Sequence, residues 1–239
     1  SVTVSNLTLD AVVTFAAVTA SVPEFRLGEL SGAEPLRLAN GLGLGSADRA
    51  VTITNGIVIS GASDVTNVLT AHDGNNLVLA GPISGSGALR LCALGAAGGV
   101  HLAGDNSGFA GSVAIDGGSL NRMAFDSAAA GSSNAVWTLF GASLNNIVFN
   151  FTGGTIRFGA LFGAGLTFGG SSAVIVEVGH LGTNCASSIN LYGFGKTLRK
   201  VGAATLTFSG ANYSVLDLAD GVFTPLYSNG FPGSLLVFS

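Results

Sequence analysis

Charge is what this chain most lacks. Its 239 residues carry 9 Lys and Arg and 13 Asp and Glu, a charged share of 9%, against ~25% in an ordinary soluble domain. A surface so short of charge is either covered by partner subunits or dressed in Ser, Thr and Asn. Lysine occurs only at Lys196 and Lys200. With Arg199 these form the one basic cluster, which reads as a solvated turn or strand edge. Nucleic-acid binding needs a basic stripe, and none exists, so no nucleic-acid partner is expected. No apolar run reaches the ~18–20 residues of a membrane helix, so no transmembrane segment is expected. The longest candidate, Ala11–Val22, is interrupted by Thr14 and Thr19 and alternates like a strand. The two cysteines, Cys92 and Cys185, have neither a metal-ligand spacing nor a disulfide-framework spacing. They read as two unpaired, buried small hydrophobes, with a Cys92–Cys185 bridge as the alternative.

What the chain does have is apolar content and glycine. A hydrophobic share of 48% excludes disorder, and there are 37 glycines. The stretch Ile83–Leu120 shows the pattern. Leu89 and Leu91, Val100 and Leu102, and Val113 and Ile115 are apolar beats. Gly85, Gly87, Gly98, Gly99, Gly104, Gly108, Gly111, Gly117 and Gly118 fall between them. No helix holds that much glycine, at roughly 1 kcal/mol lost per residue relative to alanine. Short strands with a turn after each do.

The same style runs through the chain. Val2–Leu9 alternates apolar and polar residues with period two, as a half-buried strand does. Asn40–Gly45 resembles a dinucleotide loop only superficially. The fingerprint needs glycine where Ser46 stands, and a helix after it. Asn55-Gly56 is a hairpin signal in isolation but reads here as a corner between successive strands. Met123–Ser133 reads as a loop or at most one helical turn. Most of the 15 Phe lie from Phe125 onward, so the second half needs a wider core or a second layer. Ser234–Phe238 is the last strand. No linker breaks the series, so 1–239 reads as one domain.

The pattern repeats internally. Gly193–Asn212 (GFGKTLRKVGAATLTFSGAN) can be set beside Gly85–Asn106. Leu89 then matches Leu198, Val100-His101-Leu102 matches Leu206-Thr207-Phe208, and Gly104-Asp105-Asn106 matches Gly210-Ala211-Asn212. The second copy supplies Leu198, Lys200, Gly202, Thr205-Leu206, Phe208, Gly210, Asn212 and Tyr213. On these residues both copies resemble the autotransporter-associated β-strand repeat. The first copy has three extra residues between its strands and lacks the lysine. The resemblance implies a right-handed parallel β-solenoid in a secreted or surface-displayed bacterial protein. Coils of ~20 residues would give on the order of ten to twelve coils. An antiparallel sandwich or jelly roll is the competing fold, because it needs the same strands and turns.

Catalysis needs converging polar groups, and the sequence offers few. Asp105, Asp116 and Asp126 are the best acidic set for a polysaccharide-active enzyme, but solvated corners explain them more simply. His72, His101 and His180 are isolated and lack metal-ligand spacing. His101 is expected to face outward from a strand. Gly193–Thr197 resembles the end of a phosphate loop, but Asn190 stands where that loop needs glycine. No metal or cofactor is expected. Asn6, Asn150 and Asn212 each open a glycosylation sequon. A start at Ser1 is what a removed secretory leader or an excerpted fragment leaves.

The expected role is therefore structural, extracellular and non-enzymatic. Solenoid ends need capping to stay soluble, an open strand edge is a template for another chain, and head-to-tail contacts that do not close make filaments. The candidate assembly residues are Val2, Val4, Leu7 and Leu9 at one end and Leu235, Leu236, Val237 and Phe238 at the other. The expected partner is another copy of the chain, with a surface glycan or an outer-membrane anchor protein as further candidates. A monomeric adhesin-like passenger is the alternative.

Overall fold

A computed structural model describes residues 2–4, 7–11, 13–16, 24–39, 41–46, 49–62, 65–72, 74–94, 98–117, 122–140, 147–170, 173–191, 195–208, 215–225 and 235–238. Among the described residues strands pair only in parallel, each with the strand one coil away. The protein is an all-β parallel solenoid, which removes the antiparallel sandwich. Each coil passes through three strand positions, and equivalent positions stack into ladders.

The first face shows the register most clearly. Leu44, Leu69, Leu91, Ile115 and Leu139 lie directly above one another. All five are buried. The second face stacks Ile53, Leu79, Leu102, Phe125 and Phe149 in the same way. The third runs from Val13 through Leu36 and Ile57 to Ile83. It narrows to a single bridge at Gly85 and Phe109, and resumes with Ile175, Thr197, Val215 and Leu235. Period-two alternation decides which residues enter the core: Val51 and Ile53 are buried while Thr52 between them is exposed. A one-residue slip would turn every such set outward.

The coil count differs from the expectation. About seven turns carry the second-face ladder, against the ten to twelve coils expected for the whole chain. Seven levels share the unbroken second-face ladder, from Val51 through Leu77, Val100, Met123, Ile147 and Phe168 to Leu191. Coils in this part are longer than ~20 residues because their corners hold extra residues: Leu44 to Leu69 is 25 positions, and Ile115 to Leu139 is 24.

Two local readings are sharpened. Asn55-Gly56 is a corner, since Val51–Ile53 and Ile57–Ile59 pair with different neighbours and not with each other. Within Met123–Ser133, a single 3-10 turn at Ala128–Ala130 is present, but Arg122–Phe125 is strand, not loop. The burial of Met123, Ala124 and Phe125 in the core outweighs the serines that follow.

In the Phe-rich half the rings pack against one another inside the core. Trp137 meets Phe158 edge-on at 5.2 Å, Phe125 meets Phe158 edge-on at 5.7 Å, and Phe149 stacks on Phe168 at 5.0 Å. These rings are essentially fully buried. Edge-to-face and offset pairs add about 0.5–1.5 kcal/mol beyond area burial. The Trp137 indole N–H, which must find an acceptor once buried, donates to the Ser132 carbonyl at 3.2 Å.

Candidate functional site

The densest group of charged side chains lies on the outer side of the third face. Arg157, Glu177, Arg199 and Asp217 occupy consecutive levels of one register column. In the strands Thr155–Gly170 and Thr197–Lys200, Ile156, Phe158 and Leu198 turn inward. Arg157 and Arg199 therefore turn outward. The column alternates in sign from level to level. Arg157 Nε donates to Glu177 Oε1 at 3.0 Å, and Arg199 Nε donates to Asp217 Oδ2 at 2.6 Å. Arg199 Nη1 stands 3.6 Å from Glu177 Oε2, and His180 Nε2 lies 2.7 Å from Glu177 Oε1. Asp217 holds the Arg199 guanidinium even higher than its ordinary range, by hydrogen bond and by charge. The two carboxylates are nearly buried, at 10% side-chain exposure each, whereas Arg157 is 55% exposed. Glu177 thus lies between two guanidiniums, and each arginine faces a carboxylate from a neighbouring level.

A second group spans three levels near the other end. Glu24 and Arg26 stand on the level below Gly43 and Gly45, and His72 follows the strand Thr66–Ala71 above them. His72 Nε2 bonds to Glu24 Oε1 across the glycine level, and Arg26 Nε donates to Glu24 Oε2 at 3.0 Å. A Cβ on Gly45 would stand 2.8 Å from the His72 ring. That is the structural use of the Asn40–Gly45 motif: its bare backbone lets the bridge close over it. Burial pushes the Glu24 carboxyl up, but hydrogen bonds from His72 and Arg26 outweigh this and hold it below its ordinary range.

Among the described side chains, Asp105 and Asp126 take separate hydrogen-bond partners. Asp105 accepts from the Ser107 N–H at 3.0 Å, and its contacts to Ser107 lower its carboxyl below the ordinary range. Asp126 accepts from Asn150 Nδ2 at 2.7 Å and meets His101 Nδ1 at 3.0 Å. Asp116 lies in the strand Ser112–Gly117, but its side chain falls outside the described residues. His101 is half-buried on its strand. The histidines are not isolated: His72, His101 and His180 each meet a different carboxylate. Among the described residues no three His, Cys, Asp or Glu side chains are grouped to hold a metal ion. An interior cavity beside Phe109 and Trp137 has a volume of about 10 Å³, near the minimum for a single water.

The basic cluster requires a correction. Lys196 and Lys200 are not solvated: both side chains are fully buried. Lys200 falls on the inward side of its strand, in register with Val178 and Leu218, and its ammonium turns into a corner of backbone carbonyls. Lys196 Nζ donates to the Gly170 carbonyl at 3.3 Å. Cys92 and Cys185 are both buried and are not joined in a disulfide, and burial raises the Cys185 thiol. Asn150 is exposed, while Asn6 and Asn212 lie outside the described residues. So do residues 192–194, which include the first two residues of the phosphate-loop-like segment.

Of the assembly residues, Leu9 is buried and Leu7 is half-buried, paired with Gly32 and Leu30 respectively. Val2, Val4 and Leu235–Phe238 are placed by backbone only. Val2–Val4 pairs with Glu24–Leu27, and Leu235–Phe238 with Val215–Leu218. No helix among the described residues is long and apolar enough to cross a membrane. The class defined by fold and site is a parallel β-solenoid whose polar groups bond between coils. No family model, no curated protein and no solved structure matches the chain.

Proposed function

We propose that the chain is a non-enzymatic extracellular structural protein, a β-solenoid subunit that polymerises head-to-tail with copies of itself. One observation carries this reading. Leu235–Phe238 pairs on one side with Val215–Leu218, and Val2–Val4 on one side with Glu24–Leu27. Among the described residues neither strand pairs on its other side, and such an edge of parallel backbone groups is the geometry that accepts another strand. The repeat's resemblance to the autotransporter-associated β-strand repeat supports a secreted or surface-displayed setting. The polar chemistry supports a structural role, since Arg157, Glu177, Arg199 and Asp217 are engaged with one another rather than converging on a ligand-sized space.

Electron microscopy and sedimentation of the purified chain test the reading, with a variant lacking residues 1–9 beside it. Filaments from the full chain that shorten or vanish on deletion are expected. Monodisperse rods from both proteins would sink it, and would favour a monomeric passenger.

A further inference from the structure

We propose that the corner formed by Val201, Gly202 and Asp220 is a monovalent-cation site that the chain fills with its own Lys200 ammonium. Lys200 Nζ donates to the carbonyls of Val201 at 2.5 Å, Gly202 at 2.6 Å and Asp220 at 3.4 Å. All its hydrogen-bond acceptors among the described residues are backbone oxygens from two successive corners. The side chain is fully buried, so these oxygens stand in for the water that a free ammonium would hold. Carbonyl oxygens that replace a hydration shell are the means by which protein backbones bind potassium-sized ions.

The cradle is built by the backbone. Gly179, Gly202 and Gly221 lie at successive corners with φ of +120°, +71° and +78°, a region in which glycine is favoured. A Cβ on Gly221 would stand 2.8 Å from Lys200 Nζ, and one on Gly179 3.1 Å from it. Side chains there would fill the space that the ammonium occupies. The lysine of the Leu-Arg-Lys-Val-Gly segment thus supplies a cation on a tether. In the aligned copy Leu91 stands opposite Lys200 and makes an ordinary core contact: it is buried and in register with Leu69 and Ile115. The site belongs to a single copy of the chain and does not depend on polymerisation.

Lys200→Ala tests the proposal by emptying the site. Thermal unfolding of the variant would be followed in ammonium, potassium and N-methylglucamine chlorides at equal ionic strength. The expected result is a midpoint several degrees below the parent in N-methylglucamine, largely recovered in ammonium or potassium with saturable dependence. The parent should show no such preference. Lys200→Met keeps the stem, removes the charge and blocks the site, so it should be less stable than the parent in every salt. The proposal is overturned if Lys200→Met matches the parent. It is equally overturned if Lys200→Ala behaves alike in all three salts, including by staying unfolded in all of them.

Discussion

Arg199 is held to Asp217 by a hydrogen bond of 2.6 Å between levels that are 18 positions apart in sequence. The same guanidinium reaches down to Glu177. Replacing it by methionine leaves two nearly buried carboxylates in one column without their shared cation. Breaking a buried pair costs about 3–5 kcal/mol, and the one-third exposure of Arg199 brings the expectation for Arg199→Met down to about 2 kcal/mol. Urea unfolding measures it. Adding Asp217→Asn should recover part of the loss, because it removes one of the stranded charges.

The Phe125, Trp137 and Phe158 cluster should be the most sensitive part of the core. Phe125 touches both other rings as well as Phe149 and is fully buried. Phe125→Ala should destabilise the protein by about 3–5 kcal/mol. Phe125→Leu refills much of the space and should cost less than half as much. Near-ultraviolet circular dichroism of Trp137 should lose intensity in the alanine variant.

Much of this fold was legible in the sequence, because short alternating strands and glycine corners leave few alternatives. Asn55 could be read as a corner, and Cys92 and Cys185 as buried thiols. The charge column could not be read, because its members are separated by 20, 22 and 18 positions. Coils of unequal length defeat a search at one fixed period. The Glu24–His72 bridge spans 48 positions and skips a whole level, so no local motif carries it. Charge alone points Lys200 toward solvent, whereas its side chain is buried. The alternation Thr197, Leu198, Arg199, Lys200 does place it inward with Leu198, and the glycines at 179, 202 and 221 make that position tolerable for a cation.

Acid should weaken the end of the solenoid that holds Glu24. Its carboxyl lies below the ordinary value of 4.5 in the folded chain, so the folded state binds fewer protons there than the unfolded state. The stabilisation is fully present above the unfolded value and is lost as pH falls through the folded one. The thermal midpoint of the parent should therefore drop more steeply on acidification below about pH 4.5 than that of Glu24→Gln. Parallel curves for the two proteins would show that the Glu24–His72 bridge contributes nothing.

The opposite sign applies to the lysines. Burial lowers both Lys196 and Lys200 from the ordinary 10.5, so in alkali the unfolded chain binds more protons than the folded one. Their contribution to stability should rise as pH climbs through the folded values toward 10.5 and then level off. Burial has a second consequence that is simpler to measure. The chain has two lysines, and the solenoid encloses both. An amine-reactive ester at neutral pH should leave Lys196 and Lys200 unmodified in the folded protein and label both in concentrated urea. Mass spectrometry of peptides covering residues 195–208 gives the ratio. Protection should be at least tenfold, because exposing either ammonium requires opening the corner that holds it. Equal labelling with and without urea would place the lysines in solvent and remove the basis for the Lys200 site.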